Sequence, residues 1–230
     1  MSKGTRTGTA NPGGIKTRLK NRFFFFNQFV MGTSSWYFYK YWIDLDIRGI
    51  EFLKDIPRGA CVFVPNHKSF VDHFIILAGC IRAGRSDLLP IRTMVRSSIY
   101  HNVFLRPLLA SLGAYPAQMR QEITKALAVP NKVLKAGGSV GIYPEGGIKE
   151  TIGMFKRGVG YLLRMNPGIV AIPVAIGGTE RFKFKTFPRR GTQVLLSFGK
   201  PFIPDPTHSP EEIAEEIRQK IVDLYDSFCS

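Results

Sequence analysis

The sequence predicts an α/β fold: a single domain with a largely parallel central sheet flanked by helices, preceded by an N-terminal interfacial, membrane-binding helical segment. Three observations predict it. Short apolar runs bounded by glycine or proline alternate with stretches whose apolar residues recur at helical spacing, the pattern of a parallel sheet with crossover helices. A chain of 230 residues that is 44% hydrophobic can bury its own core without disulfide staples. The N-terminal stretch differs in composition from everything after it, being basic and then aromatic.

Residues 1–22 carry Lys3, Arg6, Lys16, Arg18, Lys20 and Arg22 and no acid, and residues 23–42 hold eleven aromatics, including both tryptophans. Cations meet anionic head groups, and amphipathic rings sit at head-group depth. Residues 1–15, rich in Gly, Thr, Asn and Pro, are expected to be a disordered basic leader. Residues 16–43 are expected to associate with a membrane, and 44–230 to form the folded domain. Asn27, Gln28 and Lys40 interrupt the aromatic block, and Gly32-Thr33-Ser34-Ser35 predicts a break in it. Two short interfacial segments are expected rather than one span. The block lacks the smooth apolar core and cleavage site of a secretory signal.

Beyond it, residues 60–65 read as a buried strand between Gly59 and Pro65. A helix follows over 69–80, with Phe70, Phe74, Leu77 and Ile81 on one face. Strands are predicted at 88–95, 113–117, 139–143, 169–176 and 193–198. Helices are predicted at 103–112, at 121–135 with an interruption at Pro130, and at 155–164. The last helix is the clearest. Ser209-Pro210-Glu211-Glu212 is a capping box with proline in the first turn. Ile213, Ile217, Ile221, Leu224 and Phe228 form its apolar stripe.

The net charge is +15, with a pI near 10, so an anionic partner is expected. The aromatic content excludes a disordered tail protein. Cys61, Cys80 and Cys229 form no CxxC pair, and an odd count argues for a reducing compartment rather than a disulfide framework.

Two constellations carry chemistry. Pro65-Asn66-His67-Lys68-Ser69-Phe70-Val71-Asp72-His73 leaves a predicted strand and enters a helix, and sites form at the carboxyl ends of strands in α/β sheets. His67 can change charge near neutrality, and Asp72 can orient its ring. Five residues along one helix leave two side chains about 140° apart. The pair therefore requires His67 in the loop before the helix, with Asn66 or Ser69 as its cap. Tyr143-Pro144-Glu145-Gly146-Gly147-Ile148-Lys149 also follows a strand and sets a carboxylate beside flexible backbone. Ser69 lies in no G-x-S-x-G elbow and is read as a brace rather than a nucleophile. His67, Asp72, His73 and Glu145 match no zinc spacing, so no metal is expected. His73 is read as a packing residue. The basic run Arg181, Lys183, Lys185, Arg189 and Arg190 reads as a solvated loop that could meet a donor's phosphates.

Asn66, His67, Ser69 and Asp72 fill all four fixed places of the first motif of the lysophosphatidic acid acyltransferase (glycerolipid acyltransferase) family, which this sequence resembles. Tyr143-Pro144-Glu145-Gly146 is similar to the family's Phe-Pro-Glu-Gly motif, Phe155-Lys156-Arg157-Gly158 to its follow-on, and Ile172-Pro173-Val174 to its fourth motif. Leu112-Gly113-Ala114-Tyr115-Pro116 resembles the end of its second. The resemblance covers about residues 45–205 in the family's order. Gly147 and Ile148 stand where the family has Thr-Arg, and Met119 where it has an arginine. Lys149 and Arg120 are the nearest cations to the two arginines that grip an acceptor's phosphate.

The resemblance implies acyl transfer from an acyl thioester, acyl-CoA or acyl-carrier protein as co-substrate, to a lysophospholipid hydroxyl, with 1-acylglycerol-3-phosphate the first expectation. His67 would be general base and Asp72 its orienting partner. Asn66, Ser69, Arg96, Arg120, Glu145, Gly146, Gly147 and Lys149 would bind substrate, with backbone N–H groups near Gly146-Gly147, or Lys68, as oxyanion donors. No other cofactor is expected. The missing arginines keep a lyso-phosphodiester or amino-lipid acceptor as the alternative. A non-catalytic module for anionic lipid or nucleic acid explains the charge but neither loop. The expected partners are thus anionic membrane lipids and not nucleic acid, at the cytoplasmic face of a membrane, peripheral or monotopic.

Overall fold

The computed structural model describes residues 12–57, 59–118, 122–182 and 188–229. Helix α1 (Pro12–Trp42) leads into strand β1 (Asp44–Arg48) and helix α2 (Ile50–Lys54). Strand β2 (Cys61–Pro65), helix α3 (Asp72–Arg82) and strand β3 (Ile91–Val95) follow, then short helices α4 (Ser97–Tyr100) and α5 (Arg106–Ser111) and strand β4 (Tyr115–Pro116). Helices α6 (Ile123–Ala126) and α7 (Ala128–Lys135), strand β5 (Ser139–Gly141), helix α8 (Gly158–Arg164), strands β6 (Val170–Gly177) and β7 (Gln193–Phe198), and helix α9 (Pro210–Cys229) complete it.

The seven strands lie in the order β1-β7-β6-β2-β5-β3-β4. All neighbours are parallel except β6 and β7. Side chains alternate between two cores, as the two-residue period of a strand requires. Cys61 and Phe63 of β2, with Ile172, Val174 and Ile176 of β6, face α1 and α3. Val62, Val64, Ala171 and Ala175 face α7, α8 and α9. Both faces are covered, as parallel sheets need. The capping box closes at α9 as predicted: Ser209 N donates to Glu212 Oε2 at 2.6 Å, and Glu212 N to Ser209 Oγ at 3.2 Å.

Several expectations are corrected. Helix α1 runs unbroken through Gly32-Thr33-Ser34-Ser35, where two segments were expected. Gly32 serves helix packing instead: a Cβ there would lie 3.1 Å from Leu77 Cβ and 3.2 Å from Ile81 Cγ1, both on α3. The helix starts at Pro12, inside the stretch expected to be disordered; residues 1–11 lie outside the described residues. In the 121–135 region the break falls at Leu127, and Pro130 sits in the first turn of α7, where its missing N–H costs nothing. Strand β1 and helices α2 and α4 had no counterpart in the sequence reading.

Helix α1 is fastened into the domain. Gln28, fully buried, donates to the carbonyls of Ile91 (2.9 Å) and Leu112 (2.7 Å) and accepts from Ile91 N (2.8 Å). Arg92 lies over the Phe24 ring at 4.6 Å. On its opposite side Leu19, Phe23, Phe26, Val30, Tyr37 and Tyr41 are exposed, and at 100° per residue they fall within about 60° of one another. Among the described residues no helix is long and apolar enough to cross a membrane.

Candidate active site

Four neighbouring parallel strands, β6, β2, β5 and β3, point their carboxyl ends at one region, where α/β sheets assemble sites. The loop after β2 carries Asn66, His67 and Ser69. The loop after β5 carries Glu145, Gly146, Gly147 and Lys149. Arg96 follows β3, and the turn after β6 carries Thr179.

Helix α3 starts at Asp72, so His67 lies in the preceding loop and the rotation along a helix does not separate them. His67 Nδ1 stands 2.8 Å from Asp72 Oδ2. The same oxygen accepts from Lys68 N at 2.8 Å and Ser69 N at 2.9 Å, and Thr179 Oγ1 donates to Oδ1 at 2.7 Å. Asp72 is fully buried, and these four donors meet the demand of a buried carboxylate for hydrogen bonds. Since Asp72 accepts, Nδ1 carries the imidazole proton and Nε2 is left free to take one. The His67 side chain is 22% exposed, enough for a substrate to reach. Its ring lies 4.3 Å, centroid to centroid, from Tyr143. Burial pushes the Tyr39 and Tyr143 phenols up, and the Asp72 carboxylate adds to the rise, so both stay neutral.

The expected caps are reassigned. Neither Asn66 nor Ser69 caps α3 with its side chain. Asn66, fully buried, extends the sheet sideways instead: Nδ2 donates to Ile176 O at 2.9 Å, and Oδ1 accepts from Ile176 N at 2.7 Å. The amide thus copies a strand rung and fixes the first residue of the His67 loop. Ser69 Oγ donates to Phe182 O at 3.4 Å, a brace as predicted. The Lys68 ammonium donates to the Glu150 carbonyl and lies 5.2 Å from the centre of the Tyr225 ring.

Glu145 Oε1 accepts from His67 N at 3.3 Å, while Oε2 is buried without a partner among the described residues. Burial raises its carboxyl pKa, with the His67 N–H, Lys68, His67 and Lys149 pulling the other way. Lys149 N donates to His67 O at 2.9 Å, tying the two loops together. Gly146, at φ +71°, takes the left-handed conformation this turn needs, and its N–H is spent on Tyr143 O. The Gly147 N–H has no acceptor among the described residues. The Arg96 guanidinium flanks Gly147, with Nη2 3.3 Å from where a Cβ would stand.

The structure therefore gathers His67, Asp72, Asn66, Ser69, Arg96, Glu145, Gly146, Gly147 and Lys149. Arg120 lies outside the described residues, as do Lys183 and Lys185 of the basic run. Sequence reasoning missed Thr179, which is 107 residues from Asp72; Gly178, at φ +82°, marks the turn that delivers it. No cluster of three or more metal-ligating side chains occurs among the described residues.

A family model described as Acyltransferase matches residues 45–177. A chloroplastic 1-acyl-sn-glycerol-3-phosphate acyltransferase of Arabidopsis thaliana is 25% identical over 201 residues, covering 84% of this chain and 51% of its own. One from Brassica napus is 26% identical over 221 residues, covering 90% of this chain and 57% of its own. The chain spans about half the length of these curated relatives. The crystal structure of the 1-acyl-sn-glycerophosphate acyltransferase of Thermotoga maritima superposes with a TM-score of 0.70 at 17% identity, covering 90% of this chain and 80% of that one. That likeness is one of fold.

Proposed function

The chain belongs to the acyltransferase family, and on that premise we propose that it moves a fatty acyl group from an acyl thioester, carried on coenzyme A or an acyl-carrier protein, to a lysophospholipid hydroxyl in phospholipid biosynthesis. One observation carries the reading: the His67–Asp72 pair at 2.8 Å, with every oxygen of Asp72 occupied by a donor and His67 Nε2 left over. His67 Nε2 takes the proton of the attacking hydroxyl as its oxygen bonds to the thioester carbonyl carbon. The tetrahedral oxyanion then collapses, the C–S bond breaks, and the imidazolium returns the proton to the leaving thiolate. Asp72 stabilises that imidazolium. The Gly147 N–H, which has no acceptor among the described residues, is the donor best placed at the loop where negative charge must be held.

The acceptor is 1-acylglycerol-3-phosphate, its phosphate held by Arg96 with Lys149. This assignment draws on the curated relatives and on the guanidinium beside Gly147. A second reading is a lyso-phosphodiester or amino-lipid acceptor. It is favoured by Ile148, an exposed apolar side chain where the family motif has arginine. The protein works as a peripheral or monotopic enzyme on a cytoplasmic face, resting on the exposed stripe of α1 and its basic residues.

The test is thiol release by the full chain given acyl-CoA or acyl-carrier protein and a panel of lysolipids, with His67→Ala in parallel. Acceptor-dependent release, lost in the variant by about 10²-fold or more, is expected. Release that survives in His67→Ala sinks the mechanism. Preference for a phosphodiester acceptor over the monoester replaces the first acceptor with the second.

A further inference from the structure

Between α4 and α5, residues 101–105 display the apolar side chains of Val103 and Phe104 outward. Phe104 is 90% exposed and Val103 79%, and Ile99 and Leu108 on the flanking helices are also exposed. The turn is built rather than slack: Asn102 Oδ1 accepts from Phe104 N at 3.0 Å and Leu105 N at 3.2 Å, and Arg106 N donates to Asn102 O at 2.9 Å. A hydrogen-bonded turn that fixes two large apolar side chains in water gains nothing from the aqueous state.

The charge around it is one-sided. None of the chain's 17 acidic residues lies in 1–43 or 88–121, the two segments that carry this turn and α1. Arg96 and Arg106 flank the turn, and both are exposed. Helix α5, which follows the turn, is tied at its far end to α1: Asn27 Nδ2 donates to Ser111 O at 3.3 Å and Gln28 to Leu112 O. Arg96, which enters the active site beside Gly147, stands at the start of α4.

From this we infer that the Val103-Phe104 turn is a second membrane contact, a wedge inserted among the acyl chains of an anionic bilayer beside α1. This rests on the membrane reading proposed above and extends it to a part of the chain remote from the N-terminal helix. The wedge sits at the active-site end of the sheet, so the acceptor is met at the depth where its own acyl chain lies.

The experiment is flotation with vesicles of 70% phosphatidylcholine and 30% phosphatidylglycerol, comparing the wild-type chain with V103D/F104D and with F23D/F26D. Both residues of the wedge are exposed, so the fold is kept; the thermal midpoint checks this, and Phe104→Ser is the milder second variant. Removing two buried apolar side chains from the bilayer should weaken binding by at least tenfold, and the loss should persist in 0.5 M salt, which screens the basic contribution. If V103D/F104D floats as wild type does while F23D/F26D does not, the wedge is overturned and the membrane reading stands on α1 alone. If the wild-type chain does not float, both fall. If V103D/F104D instead abolishes self-association and leaves flotation intact, the turn is a contact between two copies and the inference is wrong.

Discussion

Replacing Thr179 with valine removes one hydrogen bond and little else, because the two side chains have nearly the same shape. Thr179 is fully buried, and its hydroxyl donates to Asp72 Oδ1 at 2.7 Å. Oδ2 keeps its three donors, but Oδ1 is left bare with no water able to replace the hydroxyl. A hydrogen bond to a charged group contributes about 1.5–3 kcal/mol, which converts to roughly 10- to 150-fold in a rate or equilibrium. The carboxylate must hold one orientation while the His67 imidazolium forms, so the loss should appear in kcat. The KM values for acyl donor and acceptor should stay within about twofold, since Thr179 touches neither in the proposed mechanism. Thr179→Ser restores the hydroxyl and should recover most of the rate. The assay is steady-state thiol release below the melting temperature, with thermal midpoints for all three proteins. Full activity in Thr179→Val, or equal impairment in Thr179→Ser, would refute the positioning role. So would a rise in KM at constant kcat.

Other outcomes follow from particular contacts. Burial holds the His73 imidazole down to about 4, from 6.5, beside Thr93 Oγ1 at 3.2 Å. The unfolded chain takes up this proton first as pH falls. The site's contribution is therefore intact above about pH 6.5 and lost towards pH 4, by about 3 kcal/mol at most. Urea unfolding of His73→Gln should lack that slope, and an unchanged slope counts against it. A methyl on Gly160 of α8 would run into the Pro210 carbonyl at the start of α9, while nothing stands within 4 Å of one on Gly158. Gly160→Ala should cost about 1–3 kcal/mol or more in calorimetry and Gly158→Ala should not destabilise; similar midpoints would remove the close α8–α9 approach. Ile148→Arg supplies the bidentate fork that the family motif has and should lower KM for a phosphate-monoester lysolipid several-fold. No change there would mean that Arg96 already fills the role.

Where periodicity and punctuation were unambiguous, the sequence was sufficient. Strand β7 falls on its predicted residues, and α9 is announced by its capping box. The His67–Asp72 pairing was legible because a proline before the loop made a loop-borne histidine reasonable. Misreadings came where one residue type serves two purposes. Gly32-Thr33-Ser34-Ser35 looks like a turn, yet the missing side chain of Gly32 is what lets α1 sit close on α3. Strand β1, Asp44-Leu45-Asp46-Ile47-Arg48, is an edge strand, and its charges mask a β pattern. Asn66 was read as a cap, which is the common use of asparagine before a helix; its bond to Ile176, 110 residues away, has no local signature. Thr179 was missed for the same reason.

The Gln28 anchor bears on the order in which the molecule comes into being. Its partners Ile91 and Leu112 lie 63 and 84 residues downstream. At about 5–20 residues per second of synthesis, the helix waits several seconds before its strand exists. During that interval its aromatic side chains have no sheet to rest on. A helix made first and seated last keeps its apolar side chains uncovered until Ile91 and Leu112 have been made. Slower translation between codons 29 and 91 should lengthen that exposure, read as a larger insoluble fraction of newly made chain in cell-free synthesis without lipid.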